Sequence, residues 1–119
     1  MTLVKVSDLD GMALDYMVAV LEGMNNNYID YFTSQWHLNK SLRYSTNRDK
    51  GGDIIEREGI TTSKTAHGFW EAYIRPSGVN EGYSVGDTPL IAGIQCYVAS
   101  KLGDTVEVPD SIIKVWKHK

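Results

Sequence analysis

Thr88-Pro89-Leu90-Ile91-Ala92-Gly93-Ile94-Gln95-Cys96-Tyr97-Val98-Ala99-Ser100-Lys101-Leu102-Gly103 carries both of its own boundaries and an apolar stripe between them. Thr88 can accept a hydrogen bond from a first-turn amide, and Pro89 takes the first helical position, where a missing N–H costs nothing. Ile91, Ile94, Val98 and Leu102 recur at helical spacing. Lys101 suits the negative end of the helix dipole, and Gly103 can close the last turn. The spacing predicts a helix from about Pro89 to Leu102. Ala92, Gly93 and Ala99 are small, so another element can approach this helix closely.

Outward from it, a second helix is predicted from about Gly11 to Glu22, because Leu14, Met17, Val18 and Leu21 share one face. Asp10 stands at its N-cap, with Ser7 as a rival, and Leu9 and Leu14 form a hydrophobic staple. Gly23 ends it. Leu3-Val4-Lys5-Val6 reads as an opening strand, Phe69 to Ile74 as the best internal strand, and Val106-Glu107-Val108 as a short alternating one. Pro109-Asp110 turns the chain into Ser111 to Trp116, a tail with apolar positions for docking on its own domain or on another subunit.

The middle is less regular. Asn25-Asn26-Asn27 breaks the chain. Tyr28 to Tyr44 reads as a short irregular or helical turn, then an extended piece from Trp36 to Tyr44. Ser45 to Asp53 reads as a polar loop with a double glycine. Ile54 to Ile60 is a strand or one helical turn, and Thr61 to Gly68 a polar connection. Pro76, Gly78, Gly82 and Gly86 mark a loop of about a dozen residues, long enough to suggest function. No repeat or linker divides the chain. The expectation is one α+β domain over residues 1–119, two main helices on a small, mostly antiparallel sheet, with 111–119 a docking tail.

Composition narrows the function. With 119 residues, 42% hydrophobic and 23% charged, the chain is neither a disordered acidic tail nor a fibre. Its apolar runs fall far short of the ~20 residues that cross a bilayer, so no membrane span is expected. A lone cysteine, Cys96, excludes an internal disulfide and fits a reducing compartment. The first residues show no export signal. A net charge of −3 argues against coating nucleic acid by bulk attraction.

Catalytic patterns are missing. His37, His67 and His118 have no second ligand or base at a mechanistic spacing, and there is no paired-cysteine motif or Gly-x-Ser-x-Gly elbow. Cys96 in mid-helix reads as a small core hydrophobe. Glu56, Glu58 and Glu71 are available carboxylates, more simply read as solvated faces. No catalytic residue, metal or cofactor is assigned.

Binding is better supported. Gly51-Gly52 can free backbone amides for an anion, Ser45, Thr46 and Asn47 add polar side chains, and Arg48 and Lys50 add positive charge. The plainer reading is a tight surface turn. Thr88, at a helix start, is a second candidate anion site. Tyr44 and Trp70, with Trp36 and Tyr73, can stack on a base if exposed, or fill the core if not. Lys40, Arg43, Arg48 and Lys50 cluster around one loop, without the length or motif of a nucleic-acid reader.

Several blocks, in order, resemble one family: Val6-Ser7-Asp8-Leu9-Asp10-Gly11-Met12-Ala13-Leu14-Asp15-Tyr16, Tyr44-Ser45, Gly51-Gly52, Ile54-Ile55-Glu56-Arg57-Glu58, Trp70-Glu71-Ala72, Thr88-Pro89-Leu90-Ile91-Ala92, Tyr97 to Asp104 and Val106 to Pro109. The chain resembles the NinX-like proteins of tailed phages, a small-domain family of unknown function. It departs from them between Tyr44 and Gly51, where Asn47-Arg48-Asp49 replaces a longer Ser-Thr-Asp-Trp-like stretch. Asn25 to Leu38 and the tail after Asp110 lie outside the blocks that carry the resemblance. The resemblance implies a phage accessory protein acting in the host bacterial cytoplasm, and no known reaction.

The expectation is a non-enzymatic, homo-oligomeric binder of a small anionic nucleotide-like ligand, possible roles including sequestration of a bacterial anti-phage signal. Its site residues would be Tyr44, Ser45, Thr46, Asn47, Arg48, Lys50, Gly51, Gly52, Trp70 and Thr88. Two alternatives stand beside it: an inhibitor or adaptor on a host protein, and an enzyme degrading a nucleotide signal.

Overall fold

The helix read from Pro89 to Leu102 forms with those bounds, and Thr88 Oγ1 accepts the amide of Ile91 at 3.0 Å. The computed structural model describes residues 1–74 and 83–117. In chain order these form β1 (Thr2–Lys5), α1 (Gly11–Leu21), α2 (Ile29–Gln35), α3 (Arg48–Arg57), β2 (Ile60–Lys64), β3 (Trp70–Ile74), β4 (Ser84–Gly86), α4 (Pro89–Leu102), β5 (Thr105–Val108) and α5 (Asp110–Lys117). Single 3-10 turns lie at Val6–Asp8, Asn26–Tyr28 and Lys40–Leu42. The loop read around Pro76, Gly78 and Gly82 lies outside the described residues, as does His118.

Both main helices are buried more completely than a one-faced stripe predicts. Every residue from Met12 to Ala19 on α1 and from Ala92 to Ala99 on α4 is buried. A helix enclosed on all sides is a core element. Here α4 is central, touching α1, α3, β5 and all three strands of the β2–β4 sheet.

The fold is α+β, with two small antiparallel sheets where one was expected. β1 pairs with β5, Thr2 opposite Val108; β2, β3 and β4 form a meander, Ile60 opposite Ile74 and Trp70 opposite Gly86. The reason is length. β4 enters α4 and β5 leaves it, and a 14-residue helix holds its two ends about 21 Å apart.

Three middle readings are corrected. The polar loop from Ser45 to Asp53 is largely helix, because Asn47 Oδ1 accepts the amides of Asp49 (3.0 Å) and Lys50 (3.4 Å) and so starts α3 at Arg48. The first half of the polar connection from Thr61 to Gly68 is strand β2, whose Thr61 and Thr62 suit a pleated surface and pair with β3. The extended piece from Trp36 to Tyr44 contains no strand. Asn39 Oδ1 accepts the Ser41 amide and starts a 3-10 turn, while Trp36 points inward to Asp15.

The tail becomes α5 and docks on α1, burying Ile112. Its Trp116 Nε1 donates to Asp10 Oδ1 at 2.8 Å, so Asp10 holds the tail and makes no side-chain cap for α1. At the other end of the domain, Arg57 donates to both carboxylate oxygens of Glu22, at 3.0 and 2.8 Å, and to Glu58. Tyr97 donates to Glu22 at 2.6 Å and Lys101 pairs with Glu58 at 3.1 Å, tying the ends of α1, α3 and α4 together.

α3 and α4 meet through reciprocal notches. A Cβ on Gly51 of α3 would collide with the Tyr44 carbonyl and with Leu90 of α4; one on Gly93 of α4 would collide with Ile55 of α3. Gly52, next in the same helix, has open space around its Cα. The two neighbours should therefore respond oppositely to alanine. Gly52→Ala should stabilise by about 0.5–1 kcal/mol through helix propensity. Gly51→Ala should destabilise by about 1–3 kcal/mol, since a backbone carbonyl cannot swing aside. Urea denaturation of both variants measures this, and equal signs would refute the notch.

Candidate functional site

Asp15 organises the surface on which the site lies. It sits in the middle of α1, fully buried, with Oδ2 accepting Trp36 Nε1 at 2.9 Å and Oδ1 accepting the Ser45 amide at 2.8 Å. The Ser45 hydroxyl is buried against the same carboxylate, outside hydrogen-bonding geometry. Burial raises the Asp15 pKa from 3.8 to about 6, against the opposing pull of Trp36, Ser45 and the nearby Arg43 charge.

Beyond Asp15 the chain turns sharply. The Arg43 carbonyl accepts the amides of Thr46 (3.1 Å) and Asn47 (2.8 Å), and Asn47 Nδ2 donates to the Lys40 carbonyl at 3.0 Å. These bonds bring Lys40, Arg43, Thr46, Asn47, Arg48 and Asp49 around an open hollow of about 450 Å³. Three cations face one carboxylate there, in a protein whose net charge is −3. Arg43 Nε is shielded from solvent and has no hydrogen-bond acceptor.

A second hollow of about 390 Å³ opens on the other side of the same segment. Tyr28, Tyr31 and Tyr44 line it with Met24, Leu42 and Glu22. Tyr28 and Tyr31 are 56% and 51% exposed and meet edge to face, with ring centroids 6.5 Å apart. Tyr44 is half-buried, and burial raises its pKa, aided by the charges of Glu22 and Asp15.

The residues expected at one site are divided. Thr46, Asn47 and Arg48 line the basic hollow. Ser45 instead faces the core. Lys50 is exposed on the first turn of α3, outside the hollow's walls. Gly51 is buried and its amide bonds to the Asn47 carbonyl at 2.8 Å, so the expected free glycine amides belong to a helix. Gly52 and Arg48 border a smaller apolar hollow with Ile55, Thr62, Pro89 and Leu90, next to Thr88, whose hydroxyl caps α4. Trp70 lies on β3, partly buried against the core, and lines neither the basic nor the tyrosine hollow.

Lys40 and Arg43 join the hollow although the sequence offers only their clustering around one loop. The signal was their spacing of three residues: the Arg43 amide closes the 3-10 turn on the Lys40 carbonyl at 3.1 Å, which keeps the two residues together. Asp15 had no such signal, since its α1 neighbours read as an ordinary apolar stripe.

Among the described residues no three His, Cys, Asp or Glu side chains come together as a metal site, and no helix is long and apolar enough to cross a membrane. Cys96 is buried, and burial pushes its thiol up to about 11. His37 stacks edge-on against Trp36, with centroids 4.9 Å apart.

These features define a small α+β domain with a basic hollow beside an aromatic one. The chain belongs to the phage family described as Bacteriophage P22, NinX, whose profile matches residues 5–101. That span holds both hollows and α4 up to Lys101, and leaves β5 and α5 outside. No curated protein matches the chain.

Asp15 should leave a pH signature. Its raised pKa means that the folded state binds the extra proton between pH 3.8 and about 6, so this group lowers stability as pH rises through that window, by about 3 kcal/mol in all. Asp15→Asn removes the titration but sets an amide donor against Trp36 or Ser45, costing about 1–3 kcal/mol. Denaturation from pH 4 to 7 should show the gap between wild type and variant shrinking as pH rises. Parallel curves would refute the assignment.

Proposed function

We propose that the protein holds a small anionic nucleotide-like ligand and releases it unchanged, with the phosphates seated among Lys40, Arg43 and Arg48. The observation that carries this reading is the basic hollow itself, above all the shielded Arg43 Nε without an acceptor. The potential of three clustered cations attracts an anion despite the acidic whole. Guanidinium groups suit phosphate because they present a planar fork of donors. The grip comes from side chains, since Asn47 already occupies the amides of Asp49 and Lys50.

Family context extends the proposal. A phage accessory protein that holds a nucleotide without altering it acts as a sponge, sequestering a bacterial anti-phage signal such as a cyclic nucleotide or an ADP-ribose derivative in the host cytoplasm. This step is analogy. The open hollow is better enclosed between two copies of the chain, so a homo-oligomer is part of the proposal.

Calorimetry with cyclic dinucleotides and cyclic ADP-ribose tests the reading. Binding should be stoichiometric and weaken with salt, and the ligand should be chromatographically intact after heat release. Arg43→Ala or Arg48→Ala should weaken binding roughly 10- to 150-fold, the range for a hydrogen bond to a charged group. No heat with any anion, or a degraded ligand, would overturn it.

A further inference from the structure

We infer that the tyrosine-lined hollow seats the base of the ligand, so that one nucleotide straddles residues 40–46 with its phosphate on the basic side. This inference rests on the anion-binding reading above for its phosphate half only. Side chains along the segment divide between the two hollows: Lys40, Arg43 and Thr46 line the basic one, Leu42 and Tyr44 the aromatic one. A single strip of backbone thus carries walls of both hollows.

The chemistry of the second hollow selects a neutral ring. Its walls are mostly apolar and aromatic. Its one carboxylate, Glu22, is occupied by two Arg57 donors and the Tyr97 hydroxyl, so it repels little and offers a cation little. The Tyr28 and Tyr31 rings are half exposed although Phe32, beside them in α2, is fully buried. Aromatic faces left in solvent beside an apolar floor fit the flat surface of a base, whose stacking is tolerant of base identity. The ligand class is therefore a nucleoside phosphate, and neither an inorganic anion nor a sugar phosphate uses both hollows.

Calorimetry with pyrophosphate, ADP and adenosine separates the two halves. ADP should bind roughly 5- to 150-fold more tightly than pyrophosphate, the range for one stacked base. Tyr31→Ala and Tyr28→Ala should erase that advantage while leaving pyrophosphate affinity unchanged. Arg48→Ala should weaken ADP and pyrophosphate alike. If ADP and pyrophosphate bind equally, or the tyrosine variants keep the ADP advantage, the base seat is wrong and the anion site stands. If pyrophosphate fails to bind but adenosine binds in a Tyr31-dependent way, the base seat stands and the anion site fails. Binding of neither overturns both. A change in native mass on Tyr31→Ala, with ADP affinity unaltered, would make the hollow a contact between copies of the chain and overturn the inference.

Discussion

A carboxylate in the middle of a buried helix is expensive to desolvate, and Asp15 is tolerated because two donors converge on it. What those donors belong to matters more than the bonds themselves. Trp36 follows α2, and Ser45 lies three residues before α3, so one side chain pins both ends of a stretch that has no strand ladder to hold it. From Ser45 the order passes along the backbone. Arg43 accepts from Thr46 and Asn47, and Asn47 caps α3 while gripping the Lys40 carbonyl. The walls of the basic hollow are the far end of this chain of bonds. A core interaction and a surface site are parts of one network.

The second stabilising assembly is electrostatic. Arg57 joins Glu22 and Glu58 and lies over the Tyr97 ring at 5.6 Å. Hydrogen bonds from Arg57, and then from Tyr97, hold the Glu22 carboxyl below its usual range. Burial would raise Glu58, but Lys101 and Arg57 outweigh it. Arg57 is half exposed, so each pair is individually modest; the geometry matters because three helix ends share it.

Legibility in the sequence followed the locality of the cause. Thr88, Pro89 and Gly103 mark α4 from within, as Gly23 ends α1, and both helices form within a residue of the reading. The β5 alternation is likewise self-contained. Failures cluster between Trp36 and Lys64, where the cause is distant. Gly51-Gly52 resembles a loop until the close approach of Leu90 and the Tyr44 carbonyl explains a glycine inside a helix. β2 is polar and becomes a strand because β3 lies alongside it. Of the candidate site, Thr46, Asn47 and Arg48 were legible as a polar, basic cluster and Lys40 and Arg43 as basic neighbours, whereas Asp15 needed its partners. Trp70 was legible only as a flat ring and Thr88 only as a helix start, and neither lines the basic hollow.

The paired glycines at the α3–α4 crossing have a mechanical consequence. Two interlocking recesses, one on each helix, index α3 like a key: sliding along α4 would drive the Leu90 or Ile55 side chain into the facing helix backbone. Asn47 and Arg48 sit one turn before that lock, so their backbone coordinates are set when the domain folds. On the proposed anion-binding reading, an ion has to still only the outer reaches of long side chains, which keeps the entropic toll of capture small.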